Sequence, residues 1–220
     1  MDAIECIKTR MSIRKFKPDP VPKEVLMDVI KTAQRSPSYK NSQPWEVIIL
    51  SGKKKEALSK MLVGLLDSGT EPHPDLEAPI SWPVAEGARI DDLFKKRAEA
   101  TGVDLSDPAN VKKSKKANFS FYGAPHAIYL FQDASLSLWS LFDMGLFAQS
   151  IMLAAHASGL GTVPQAFVTD YARDVRAFLS ISDTKRLVLG LSVGYPDMES
   201  PVNAFRTDRA QTDHIVQWIE

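Results

Sequence analysis

The chain has 220 residues, 27 Lys+Arg against 27 Asp+Glu, 44% hydrophobic and 25% charged residues, which is the make-up of an ordinary folded protein. At this length roughly 70% of the unfolded surface can be buried, so one domain needs no staples. Zero formal net charge argues against nucleic-acid binding through a broad basic field, and the lone Cys6 excludes an internal disulfide framework and suits a reducing, cytoplasmic setting.

Residues 2–9 read as a short helix with Ile4 and Ile7 on one side; with Asp2 and Glu5 and no apolar run, no secretory signal is expected there. Val25, Leu26, Val29, Ile30 and Ala33 make one stripe of a helix that starts near Pro22 and stops by Pro37. A β-rich run at 45–50 leads into an amphipathic helix at 53–66. Residues 67–84, with Pro72, Pro74, Pro79 and Pro83, read as loop. Surface helices are expected at 89–100 and 108–117, and strands at 127–131, 161–167 and 186–193. Residues 136–158 are apolar nearly all round a helix, yet Asp143, Gln149 and His156 interrupt them, so a membrane span is rejected. Burial of so long a helix on every side is easiest if a second subunit covers one face, and a homodimer is expected. No repeat or shift in composition asks for a second domain.

Several signatures fail on their context. Gly190-Leu-Ser192-Val-Gly194 matches a nucleophile elbow, and Asp197, Asp208 or Asp213 with His214 follow in hydrolase order. The elbow needs a strand-to-helix turn, however, and Ser192 sits inside an apolar run, so a strand serine is the better reading. Gly159-Leu-Gly161 lacks the third glycine of a dinucleotide fingerprint and reads as a helix end leading into a strand. His73, His126, His156 and His214 have no metal-ligand spacing to one another or to Cys6, and no metal is expected. The lysines at 112, 113, 115 and 116 read as a solvated helix face.

Arg10-x-Ser12-x-Arg14 is more informative. In an extended segment these residues share a side, and two guanidinium forks around a hydroxyl make a grip for a phosphate or carboxylate; a pair of solvated arginines is the alternative. The opening stretch holds Lys8, Arg10, Arg14, Lys15 and Lys17 against Asp2 and Glu5, so it is basic although the chain is neutral. Arg206 and Arg209 form a second cluster near the other end, and Asn41-Ser-Gln-Pro-Trp45 brings amide side chains to the first strong strand.

Taken in order, Arg10-x-Ser12-x-Arg14, Ser36-Pro-Ser-Tyr-Lys-Asn-Ser-Gln-Pro-Trp45, Asp143-Met-Gly-Leu-Phe-Ala-Gln149 with Gly159-Leu-Gly-Thr162, Gly194-Tyr-Pro-Asp197 and the Arg206/Arg209 tail resemble the FMN-dependent nitroreductase family. Asn118-Phe-Ser-Phe-Tyr-Gly-Ala-Pro125 is similar to its nitrobenzoate reductase branch. The resemblance implies an α+β fold: a central mixed, mainly antiparallel sheet flanked by helices, in an intertwined homodimer with FMN at the subunit interface. It implies one domain over 1–220, with a helical insert around 67–120 and a C-terminal arm around 203–220. By position, Arg10, Ser12 and Arg209, assisted by Arg206, would hold the FMN phosphate and ribityl chain. Arg14 would meet the pyrimidine edge, Pro164, Gln165 and Ala166 would run along the ring, and Pro37, Ser38 and Asn41 would approach from the other subunit.

NAD(P)H would serve as a transient electron donor, since flavin chemistry needs no protein nucleophile. The implied activity is two-electron, ping-pong reduction of flat nitroaromatics, nitrobenzoate among them, to hydroxylamines. Quinones, enones and halogenated aromatics are the same-fold alternatives, and a flavin-binding module without turnover or a hydrolase built on Ser192 the alternatives from other classes. Phe119, Phe121 and Tyr122 are candidates to line the acceptor pocket, with core or dimer packing as the alternative reading. Tyr39 and Lys40 would form its rim, where relatives often carry smaller polar residues. Lys40 or one of the lysines at 112–116 would favour a carboxylated substrate.

Overall fold

The computed structural model describes residues 1–104 and 106–220. Four strands, β1 (Glu46–Ser51), β2 (His126–Asp133), β3 (Gly161–Gln165) and β4 (Lys185–Gly194), form a sheet in the order β1-β2-β4-β3 with every ladder antiparallel. The parallel component is a single bridge, Ser12 to Thr162, beside edge strand β3. Strand β2 is buried along almost its whole length because both faces are covered. Ile128 and Leu130 face one core with helices α2 (Lys23–Ala33) and α6 (Trp139–Ala157). Ala127, Tyr129 and Phe131 face the other, with α3 (Gly52–Asp67), the end of α5 (Pro108–Phe119) and α7 (Ala172–Leu179). A register shift opposite Leu130 and Phe131 changes the parity of β4, so Leu187 packs into the second core while Leu191 and Val193 pack into the first.

Local chemistry sets most helix ends. Asp2 caps α1 (Ala3–Thr9), its Oδ1 accepting from the N–H groups of Ile4 and Glu5, and Asp107 caps α5 ahead of Pro108. Gly159, at φ +76°, ends α6, and the Leu160 N–H returns to the Ala155 carbonyl. Helix α4 (Val84–Thr101) starts earlier than its apolar pattern suggests, and α7 was not expected at all. The proline-rich loop before α4 is tied down on α7: His73 Nε2 lies 2.9 Å from Asp174 Oδ2, and Asp75 pairs with Arg176 while accepting from the Leu187 N–H at 2.7 Å. A short helix, α8 (Pro201–Ala204), precedes the tail. No helix among the described residues is long and apolar enough to cross a membrane.

Helix α6 is covered on one side only within the chain. Leu138, Trp139, Phe142 and Leu146 are exposed along its free face, as are Ile4 and Ile7 of α1. The tail presents Ile215, Trp218 and Ile219 in the same condition.

His126 joins the start of β2 to two other segments. The Val21 N–H donates to its Nε2 at 2.9 Å, so the ring proton is assigned to Nδ1, which lies 2.5 Å from Ser51 Oγ. Burial, and then the charge of Lys55, hold its pKa below the ordinary value. An unfolded chain takes up a proton on this histidine below about pH 6.5 that the folded protein refuses. Stability is therefore expected to fall as pH drops through that value and to level off below the folded pKa. Urea unfolding at pH 7.5 and 5.5 should show a smaller pH-dependent loss for His126→Gln than for the wild type; equal losses would remove His126 as the cause.

Candidate functional site

Residues 10–14 lie along the outer side of β3. The Ile13 N–H donates to the Thr162 carbonyl at 2.9 Å, and Ile13 is buried against Gly161. A Cβ at position 161 would stand 2.7 Å from Ile13 Cγ1, so only glycine permits this approach. From the other end of the chain, the buried Asn203 side chain accepts from the Arg14 N–H at 2.7 Å and donates to the carbonyls of Lys15 and Asp197 at 2.8 Å each. Arg206 then donates to the carbonyls of Lys8 and Thr9, both at 3.0 Å, satisfying the end of α1. In the sequence Asn203 stands out only as the first residue of the cluster with Arg206 and Arg209; a buried amide with three backbone partners is invisible to periodicity.

Arg10 and Arg14 line different cavities: Arg10 ends α1, whereas Arg14 follows the segment that bridges to β3. Arg10 enters a cavity of about 130 Å³ with His156 and Arg206, and no carboxylate lines it. Its Nη1 is buried without a partner among the described residues. Burial, then the charges of Arg209 and Arg206, push its guanidinium below the ordinary value. His156 is lowered too, by burial and then by Arg10 and Arg206. Arg209 is exposed and folds back on Thr207 Oγ1 at 2.7 Å. Arg10, Arg206 and His156, with no acid in the cavity and the charge of Arg209 felt from outside it, make a lining that fits a phosphate.

Arg14 opens on a second, larger cavity of about 620 Å³, walled by Tyr122, Val163, Pro164, Gln165, Ala166 and Phe167 and roofed by α4 and α5. The Gln165 side chain is spent inward: it donates to the Asn118 carbonyl at 2.9 Å and accepts from Ser192 Oγ. Its backbone, together with exposed Pro164 and Ala166, is what faces the cavity. That bond also disposes of the hydrolase reading, because Ser192 is fully buried within β4 and faces an amide rather than a histidine. Phe119 and Phe121 correct the sequence expectation. Both are completely buried in the second core and line no cavity, and of the three aromatics only Tyr122 reaches the pocket. Phe121 and Tyr122 both hold positive φ, at 53° and 52°, and this turn directs one ring inward and the other outward.

Pro37, Ser38, Tyr39, Lys40 and Asn41 line neither cavity of their own chain. They lie on the loop beside α6, held there by a bond from the Tyr39 N–H to buried Asp143 Oδ1 at 3.1 Å and by Ser38 Oγ, which accepts from the Gln43 N–H at 3.0 Å. Lys40, Asn41 and Gln43 all have positive φ, a density of strained non-glycine residues that marks a shape held for use. Ser12 bridges Thr162 but lines neither cavity of its own chain. The lysines at 112 and 116 pair with Asp67, while Lys115 points into the larger cavity.

Comparison with known proteins shows the family and the fold. The model of the Nitroreductase family matches residues 7–195. The nitroreductase NfnB of Mycolicibacterium smegmatis is 34% identical, with 93% of this chain and 87% of that protein covered. The 4-nitrobenzoate reductase of Pseudomonas putida is 31% identical, over 97% of this chain and 93% of its own. A crystal structure of FMN-dependent NfnB from Mycobacterium smegmatis in complex with NADPH superposes with a TM-score of 0.94 at 31% identity, covering 99% of this chain and 98% of the other.

The Ile13–Gly161 contact makes a double-mutant test. Gly161→Ala should cost about 1–3 kcal/mol by overpacking, read by chemical denaturation. Combined with Ile13→Ala, which makes room, the loss should be less than the sum of the two single losses. Strict additivity would mean that the close approach carries no strain.

Proposed function

The chain belongs to the nitroreductase family, and we propose that it is an FMN-dependent NAD(P)H oxidoreductase that reduces nitroaromatic compounds in two-electron steps. The observation that carries the reading is the buried, unpartnered Arg10 nitrogen among Arg206, Arg209 and His156, an anion site built from both ends of the chain. Arg10, Ser12 and Arg209 bind the FMN phosphate and ribityl chain, and Arg206, which also clasps α1, assists. Arg14 sets a fixed cation at the pyrimidine edge, where reduction concentrates negative charge. Pro164, Gln165 and Ala166 support the ring, with backbone rather than side chain toward it. FMN, when bound, supplies hydride transfer from NAD(P)H and onward to a flat acceptor. The protein's part is to bind, orient and keep the ring face open to each partner in turn.

The working unit is a homodimer. The uncovered apolar face of α6 and the adjacent strained loop support this: pairing through that face buries it and carries Pro37, Ser38 and Asn41 to the partner's ring, with Tyr39 and Lys40 at the acceptor's rim. The apolar tail at 215–219 serves as an arm that reaches the partner. Cys6 is buried and free, which suits a cytoplasmic location.

Purified protein should carry flavin absorption bands that bleach on anaerobic addition of NADPH or NADH; failure to retain FMN on reconstitution would sink the proposal. Arg10→Ala and Arg209→Ala should each weaken FMN binding about tenfold or more, because a charge-assisted bond contributes about 1.5–3 kcal/mol. Fluorescence titration measures this, and unchanged affinity in both variants would dismantle the phosphate grip.

A further inference from the structure

The larger cavity carries more positive charge than the cofactor role of Arg14 uses. Besides Arg14, its lining holds Lys95, Arg97 and Lys115. Its one acidic residue, Asp104, already accepts from the Ser106 N–H and hydroxyl at 2.8 Å each. Arg97 is the informative member. It sits on α4, is half-buried, and makes no ion pair among the described residues. Burial, and then the charge of Arg14, push its guanidinium below the ordinary value, so the two arginines feel each other across the cavity. The neighbouring Lys96 has by contrast found two carboxylates, Asp92 and Asp208, outside the cavity. Around Arg97 the walls are apolar and aromatic: Phe94, Tyr122 and Phe167.

Flat apolar walls with an unpaired guanidinium at one side fit a ligand that is a planar ring bearing an anionic group. We infer that Arg97 receives the carboxylate of the electron acceptor and selects carboxylated nitroarenes over neutral ones. The inference rests on the redox reading above, in which Arg14 is committed to the flavin edge. That leaves Arg97, with Lys115 nearby, to meet the acceptor. A partly desolvated fork donates two parallel bonds to a carboxylate and removes the uncompensated repulsion with Arg14. The same cation would meet an ester or an unsubstituted ring with nothing to bind. Of the lysines singled out from the sequence for this role, Lys112 and Lys116 are paired with Asp67, Lys115 lines the same cavity as Arg97, and Lys40 lines no cavity of its own chain.

The test compares 4-nitrobenzoate with its neutral methyl ester in the FMN-loaded protein, wild type against Arg97→Gln and Arg97→Lys. Two readouts are taken: the ratio of kcat/KM for acid over ester from NAD(P)H oxidation, and the calorimetric Kd of 4-nitrobenzoate for the oxidised protein. Arg97→Gln should lower the ratio and raise the Kd by about tenfold or more, and Arg97→Lys should recover part of both. Equal losses for acid and ester would make Arg97 a packing residue and overturn the inference. A change confined to the KM of NADPH, with that of NADH and both acceptors spared, would assign the cation to the nucleotide's extra phosphate and also overturn it. If the wild type binds 4-nitrobenzoate through Arg97 but oxidises neither nucleotide, the redox reading fails while the anion subsite stands.

Discussion

The close contact of Ile13 with Gly161 is the constraint on which the site is built. A strand edge normally presents side chains that keep a passing segment at a distance. At Gly161 the backbone itself is the surface, and Ile13 settles onto it. The Ile13 amide then reaches the Thr162 carbonyl, which fixes where Arg10 and Arg14 leave the segment. Asn203 holds the end of the same segment, through the Arg14 amide and the Lys15 carbonyl, and stands three residues before Arg206. Two cavities with different chemistry thus flank one short stretch of extended chain.

Electrostatics within this frame is deliberately unbalanced. Charged residues spread over a solvated surface cost little, whereas like charges gathered in a partly dry cleft repel one another at short range. The folded protein tolerates Arg10, Arg206 and His156 together because the Ile13 and Asn203 bonds hold the segment whatever its charge, and the Arg206 guanidinium finds acceptors in the carbonyls of Lys8 and Thr9. An anion entering that cleft removes the repulsion and binds only the folded state, so it adds to stability by mass action. Net charge is blind to such an arrangement, since it averages over the whole chain what matters within a few ångströms.

Much of this architecture was legible in the residues. The strands at 45–50, 127–131, 161–167 and 186–193 and the stripe ending at Ala33 were set by periodicity, which responds to a buried face and to little else. Helix α7 escaped although Ala172, Val175, Ala177, Phe178 and Leu179 are apolar, because at eight residues, about two turns, it gives a helical period little length in which to register. Phe119 and Phe121 were misjudged for a different reason. Their burial depends on a left-handed turn at Phe121 and Tyr122, and non-glycine residues give no local warning of positive φ. Arg97 lay unnoticed on a helix that reads as solvated, since its significance comes from Arg14, far away along the chain. Asp143 interrupts an apolar run and opens the motif at 143–149; that its carboxylate holds the Tyr39 amide is a tertiary fact.

The clasp between Arg206 and the end of α1 also has a bearing on biosynthesis. Its partners are 198 and 197 residues apart. A ribosome adding about 5–20 residues per second delivers the second half of this clasp roughly ten to forty seconds after the first. The segments that make β1 and β2 emerge well before then and can pair, whereas the cleft at Arg10 lacks the wall supplied by Arg206 until that residue has left the exit tunnel. A nascent chain arrested upstream of Asn203 therefore holds strands that can pair without a finished pocket.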